Sequence, residues 1–385
     1  MKILLVQDRL RGGGTERQTA FLAAAFARCG HPVSVLTFRP GGALVPELAA
    51  AGVAVRPLQP FDTGLDWFAP GLVAAARAGA PEIVLCMGRM ANCRAAQLQR
   101  VLPLAAVVAT VRTGKALPWL YRRGLRTAHG IIANSEFARR TLVAPEGAAD
   151  RCVVIRNSLL HSALLADEVT PAIAPGGAAR QSSDHPAAAP VGGAARQSDD
   201  HAPSAQPLLL CVAQFRREKN QRELLEIAAL LPRDLPWHLA FVGEGPTRTE
   251  CERRAAALGL ADRIVFHGWQ ADPARFYRDA AIAVLTSQRE SLPNFLVEAQ
   301  CAGVPVVTYE VGGAAECFRD GETGHLIPAG DRARFAATLA ELLAAHPRRA
   351  AMSAAACAWA RTEFDPDRQV AAHLEFFAQL RARRP

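Results

Sequence analysis

The sequence is short of aromatic residues, of paired cysteines and of long apolar runs, and each shortage excludes something. Aromatics are 6% of the chain, and the basic residues are spread along it rather than gathered on one motif. That argues against a nucleic-acid-binding module, which clusters Lys and Arg and stacks bases on aromatic rings. The longest apolar run, Val101 to Val111, is interrupted by Pro103. It falls far short of the roughly 18 apolar residues that span a bilayer. The nine cysteines are an odd number and include no Cys-x-x-Cys pair. They read as reduced thiols of a cytoplasmic protein rather than as a disulfide framework. Cys and His show no metal-site spacing. The run Gly12-Gly13-Gly14 is not the dinucleotide Gly-x-Gly-x-x-Gly, and no Gly-Lys-Ser/Thr of a P-loop occurs.

What is present is 385 residues, half of them apolar, enough for two domains with sizeable cores. Met1 to Val6 is apolar but broken by Gln7 and Asp8, so it reads as a strand and not a signal peptide. A net charge of +8 points to an anionic partner, such as a diphosphate or an anionic lipid surface.

Strand-like runs occur at 2–6, 33–37, 53–57, 83–86, 106–111, 130–134 and 152–155, and again at 208–213, 238–242, 264–267, 281–285 and 304–309. Helical patterns alternate with them, as at 71–78, 91–102, 136–143 and 221–231. Thr15 with Gln18 reads as a capping box opening a helix that runs to Cys29. From Asp331 the chain reads as helical to its end, with a break near Phe364-Asp365-Pro366. Such alternation predicts an α/β protein whose parallel sheets are covered on both faces. Residues 170–206 have no apolar periodicity. Gly-Gly-Ala-Ala-Arg-Gln-Ser occurs there twice, at Gly176–Ser182 and Gly192–Ser198. That is a disordered low-complexity insert, and its His185 and His201 are bystanders. The expected organisation is a first domain 1–169, the insert 170–206, a second domain 207–364, and a helix 365–385 crossing back to the first domain.

The most informative stretch runs from Thr286 to Val307. A short apolar strand precedes it and another ends it. Between them, Pro293 suits the first turn of a helix, Leu296, Val297 and Cys301 give that helix an apolar stripe, and Gly303 stops it. Glu290 lies in the loop and Glu298 on the helix, seven residues between them. A loop at the carboxyl end of a parallel strand, followed by a helix N-terminus, is where doubly wound folds bind ligands. The unpaired N–H groups there favour an anion.

The run Glu290 to Glu298, with Ser291-Leu-Pro-Asn-Phe-Leu-Val297 between, resembles the signature of family 4 retaining nucleotide-sugar glycosyltransferases. So does the continuation Ala302-Gly-Val-Pro-Val-Val307 with Val311-Gly-Gly313. The resemblance implies the GT-B fold, two Rossmann-like doubly wound domains facing each other across a cleft. It implies that Glu298 bonds the nucleotide ribose and that Glu290 contacts the donor sugar, beside Asn294, Phe295 and Leu296. Lys219 matches the family's diphosphate lysine. The arginine that often precedes it is Gln214 here, with Arg216 two residues on to supply the charge. Gly13 and Gly14 match a loop that faces the donor phosphates. Gly243 lies in the turn after the 238–242 strand. Gly268 and Trp269 match a turn lying against the base. Two first-domain loops, Gly88 to Asn92 and Arg112 to Lys115, follow strand ends. Family members often carry a histidine or another polar residue near Arg112, close to the donor sugar.

The expected activity is transfer of a hexosyl unit from a nucleotide-diphosphate sugar to a glycan or lipid-linked acceptor, with retention, in bacterial surface polysaccharide synthesis. No cofactor and no metal are expected. Asp365-Pro-Asp367 has the form Asp-x-Asp but lies between helices. Leu117-Pro-Trp-Leu-Tyr-Arg-Arg123 with Arg126 has the composition of a lipid headgroup surface, centred on Trp119, Tyr121, Arg122 and Arg123. This places the protein in the cytoplasm, at the inner face of the membrane. The rival readings are a sugar-nucleotide epimerase of the same fold and a non-catalytic nucleotide-sugar binding subunit. The first needs an acid–base His–carboxylate pair, which does not show. Retention of Lys219, Glu290 and Glu298 argues against the second.

Overall fold

Short runs of Val, Ile, Leu and Ala, apolar on both faces, pair as parallel strands with helices over each face. A computed structural model describes residues 1–158, 206–270 and 272–383. The repeated heptapeptide, His185 and His201 lie outside the described residues. The first sheet contains β1 (Ile3–Gln7), β2 (Val33–Thr37), β3 (Ala54–Pro57), β4 (Ile83–Cys86), β5 (Ala106–Val111), β6 (Gly130–Ala133) and β7 (Cys152–Val154). The second contains β8 (Leu208–Val212), β9 (His238–Val242), β10 (Ile264–Phe266), β11 (Ala280–Leu285), β12 (Val306–Tyr309) and β13 (Gly324–Ile327).

The strand orders are β3-β2-β1-β4-β5-β6-β7 and β10-β9-β8-β11-β12-β13. Each order reverses beside its first strand, at β1/β4 and at β8/β11. Crevices at such switch points, outside the carboxyl ends of the strands, are where open α/β sheets take ligands. Each sheet is packed on both faces by buried apolar clusters. These are the two Rossmann-like domains of the GT-B fold.

The helix Pro366–Ala382 buries Val370, Phe376, Phe377 and Leu380 against Ile3, Leu5 and Phe26 of the first domain. The chain therefore passes between the domains twice. The last helix is pinned beside the end of the first domain: Ser158 Oγ donates to Gln369 Oε1 at 2.7 Å and Gln369 Nε2 donates to the Arg156 carbonyl at 2.9 Å.

Several expectations are corrected. Thr15 does not cap the first helix. The helix is Gly14–Arg28 with Gly13 as N-cap, and the Glu16 carboxylate reaches back to the amides of Gly12 (2.7 Å) and Gly13 (3.1 Å). Gln18 is instead buried, donating to the Ser158 carbonyl. Residues 91–102 are two helices, Arg89–Cys93 and Ala95–Val101. Residues 136–143 begin as a helical turn, Glu136–Ala138, and widen to a π-turn at Arg139–Val143. The segment with lipid-surface composition is a helix, Trp119–Thr127. Its Tyr121 is 2% exposed and bonds the Thr110 carbonyl, so it belongs to the core. Arg122 and Arg126 both pair with Glu146, at 2.5 and 2.7 Å. Trp119, 62% exposed, faces outward with Arg123 stacked on its ring. Among the described residues no helix is long and apolar enough to cross a membrane.

Candidate functional site at the interdomain cleft

The two sheets point their carboxyl ends at one cleft of about 420 Å³. The loop after β11 forms its floor. It is held by close backbone packing as well as by its own side chains. Gly312, at φ +56°, lies so close to the Glu290 carbonyl that any Cβ would collide with it. From the first domain, a Cβ at Gly114 would come 2.6 Å from the same carbonyl. Ser291 Oγ donates to Asn134 Oδ1 at 2.5 Å. Both domains thus clamp the residue that the sequence singles out.

Glu290 is buried, and its Oε1 accepts from Lys219 Nζ at 2.7 Å. Lys219 ends a 3₁₀ turn, Arg217–Lys219, and is followed by Asn220 in a left-handed conformation. That short turn aims the ammonium at the floor. Arg216 is exposed on the cleft wall nearby, and Gln214 uses its carbonyl to accept from Gln221 Nε2. Glu298 stands one turn into the helix Asn294–Cys301 and is 9% exposed. Tyr277 donates to Glu298 Oε2 at 2.5 Å. Burial, then the charge of Glu298, push the tyrosine's pKa up, so it stays a donor.

Gly13, Gly14, Gly243, Trp269, Asn294 and Phe295 also line the cleft. Gly14 faces Asn294, whose Nδ2 lies 2.9 Å from where a Cβ would stand. The amides of Gly12 and Gly13, however, are taken by Glu16, so that loop is braced from inside. Two expected residues stand apart. Leu296 is fully buried in the second core, and Gly268 sits behind Trp269 against Glu244 and Arg248. The segment Gly88 to Asn92 is also away from the cleft. Asn92 is fully buried and accepts from the Thr110 amide, and Asp8 caps the amides of Met90 and Ala91. That loop ties β1, β4 and β5 together. Burial pushes the Asp8 carboxyl up to about 6, against those two amide bonds.

Arg112 lies on the first-domain wall. Its Nη1 donates to Asn157 Oδ1 at 2.5 Å, and Asn157 Nδ2 donates to Asn294 Oδ1 at 2.6 Å. Sequence reasoning missed Tyr277, Asn157 and Asn134. Tyr277 carries no readable signal inside Phe276-Tyr-Arg-Asp279. Asn157-Ser158, a polar pair just past a buried strand, could have been found as a strand-end loop like the others. Further bridges close the cleft margin: Lys115 Nζ to Glu218 Oε1 at 2.6 Å, Arg156 to Glu316 at 3.1 Å, and Glu316 to the amides of Glu136 and Phe137 at 2.9 Å each. Asp365 accepts from the Arg368 amide and caps the last helix. Among the described residues no group of three or more His, Cys, Asp or Glu side chains is placed to hold a metal ion.

A family described as Glycosyltransferase Family 4 matches residues 12–159, and one described as Glycosyl transferases group 1 matches residues 195–359. The chain belongs to the family 4 glycosyltransferases. It is 37% identical over 117 residues to the Vi polysaccharide biosynthesis protein VipC/TviE of Salmonella typhi, covering 30% of this chain and 20% of that one. It is 31% identical over 142 residues to the lipopolysaccharide core biosynthesis glycosyltransferase LpsE of Rhizobium meliloti, covering 37% and 41%. The chain thus spans less than half the length of these curated relatives. The structure of HepE from Anabaena, in complex with UDP and glucose, superposes with a TM-score of 0.76 at 20% identity, over 98% of this chain and 99% of that one. In the family 4 glycosyltransferase described here, that likeness shows the GT-B fold.

Proposed function

We propose that the protein moves a hexosyl unit from a nucleotide-diphosphate sugar to a glycan or lipid-linked acceptor, with retention, in the synthesis of a bacterial surface polysaccharide. One observation carries this reading. Lys219, Glu290, Glu298 and the N-terminus of the helix at Asn294 converge on one cleft, at the switch points of two facing sheets. The relatives' names, in polysaccharide and lipopolysaccharide synthesis, support the acceptor class. HepE, crystallised with UDP and glucose, supports the donor class.

Breaking the bond between the anomeric carbon and the diphosphate builds negative charge on the departing phosphate. Lys219 and Arg216 supply positive charge on that side, and the helix end at Asn294 supplies unpaired amides. Glu298, oriented by Tyr277, takes the ribose. Glu290, held by both domains, lies at the reacting sugar.

The test is incubation with labelled nucleotide sugars, with and without a crude glycolipid acceptor. Label moving to the acceptor with its anomeric configuration kept is the expected result. Isomerised nucleotide sugar in the absence of acceptor means an epimerase. Binding without turnover under every condition means a binding subunit.

A further inference from the structure

Arg112 is a cleft cation whose charge the described residues leave unmet, and its donors are enclosed where Arg216 and Arg289 are exposed. Lys115 pairs with Glu218, and Lys219 with Glu290. Arg112 has only Asn157, a neutral amide, on Nη1. Its Nε and Nη2 are buried and meet no acceptor among the described residues. Burial pushes its pKa down to about 10, so it remains a cation at neutral pH. The nearby His373 offers no counter-charge, since burial and Arg112 itself press that imidazole toward the neutral form. A buried guanidinium with two open donors is costly unless something anionic completes it.

Nε and Nη2 form one edge of the guanidinium, and that edge holds two oxygens of a carboxylate or of a phosphate side-on. The location says which part of the substrate. Gly114, two residues along, lies against the Glu290 backbone, so Arg112 and Glu290 wall the same subsite. Lys219 and Arg216 belong to the second domain and serve the diphosphate. Arg112 stands on the first domain and reaches the helix end at Asn294 only through Asn157.

We propose that Arg112 reads a carboxylate on the transferred sugar, and that the donor is a nucleotide-linked hexuronic acid rather than a neutral hexose. The inference rests on the glycosyltransferase reading and names its substrate class. A sugar hydroxyl in place of the carboxylate leaves the guanidinium uncompensated. Sites built to meet a polar group reject the analogue that lacks it.

The experiment is titration calorimetry on the wild type with UDP, UDP-glucose, UDP-galactose, UDP-glucuronate and UDP-galacturonate, and with GDP, GDP-mannose and GDP-mannuronate. The expected result is a uronate bound at least about tenfold more tightly than the hexose of the same configuration, the scale of one charge-assisted pair. In Arg112→Gln the preference is expected to vanish while affinity for the free nucleoside diphosphate stays within about twofold. Arg112→Lys keeps the charge but loses the fork and should recover only part of it. Equal or tighter binding of the neutral hexose by the wild type overturns the proposal, and this arm needs no variant to fold. A parallel loss of nucleoside diphosphate and uronate affinity in Arg112→Gln also overturns it, because the charge then serves the diphosphate. If no nucleotide binds at all, the glycosyltransferase reading falls first. Nucleotide binding without a uronate preference sinks this inference alone.

Discussion

Lys219 Nζ lies 2.7 Å from Glu290 Oε1, so each charge is the other's counter-ion across the floor of the cleft. A diphosphate arriving at Lys219 must share it with Glu290. Lys219→Ala is expected to lower turnover by about 10²–10³ as well as to weaken donor binding, the usual scale for one preorganised electrostatic contact. Glu290→Gln is expected to act mainly on kcat. Donor-saturation kinetics with a folding check on each variant decide the matter. Glu290→Gln raising KM alone would reverse the assignment of the two carboxylates.

Glu298 is expected to touch a part of the donor that does not change in the transition state. Its loss removes uniform binding, so Glu298→Gln should raise the donor KM and leave kcat nearly unchanged. Tyr277→Phe should move KM the same way by a smaller factor, since it frees the carboxylate without removing it. A fall in kcat for Tyr277→Phe at unchanged KM contradicts the orienting role.

Turnover is expected to survive excess chelator. On the proposed reading Lys219 and Arg216 supply the positive charge that the departing phosphate needs, and Asp365 of the Asp-x-Asp sequence is engaged as a helix cap. Loss of activity in EDTA, restored by magnesium or manganese, overturns this.

Binding to anionic membranes is expected to centre on Trp119 and Arg123. Tyr121 is committed to the core, and Arg122 shares Glu146 with Arg126. Liposome sedimentation at low and high salt is the measurement. A Trp119→Ala/Arg123→Ala variant should lose most of the binding, and equal binding by variant and wild type contradicts the assignment.

His373 makes stability acid-sensitive. It is buried between Phe26 and Phe377, and its Nδ1–H donates to the Gln369 carbonyl. Burial first, and then the charge of Arg112, push its pKa down to about 3. The unfolded chain therefore takes up a proton below about pH 6.5 that the folded chain refuses, and stability falls as pH drops from there toward 3. At pH 5 the loss is about 2 kcal/mol. Urea unfolding at pH 7.5 and pH 5 should show that loss, and it should shrink by about this amount in His373→Leu. An unchanged pH dependence in the variant removes His373 as the cause.

The strands were legible because parallel strands buried on both faces are unbroken apolar runs, and Ile83–Cys86 and Ala106–Val111 match their runs to the residue. β13 was not, because Gly-His-Leu-Ile is short and mixed and pairs only through β12. Trp119–Thr127 was read as surface because its composition is amphipathic. Only the tertiary bond from Tyr121 to Thr110 tells which aromatic turns inward. The glycine-rich loop was legible, but not that Glu16 would serve its amides, because Thr15 and Gln18 offer an equally good local cap. In the cleft, Glu290, Asn294, Phe295 and Glu298 could be read from their order in the 290–298 run, whereas Leu296 belongs to the core. Tyr277, Asn134 and Asn157 could not, since each reaches the site from a distant part of the chain and has meaning only by proximity.

The bonds of Gln369 have a mechanical consequence. Gln369 stands on the helix that follows the second domain, yet the partners of its side chain, Gln18, Arg156 and Ser158, all belong to the first. The last helix is therefore carried by the first domain, and any parting of the domains is taken up before it, near Phe364 and Asp365. Such a parting must also separate Lys115 from Glu218, and Arg156 from Glu316 and Glu363. A disulfide between the last helix and the first domain would leave the cleft as free to open as before, whereas one in place of the Lys115–Glu218 pair would hold it shut.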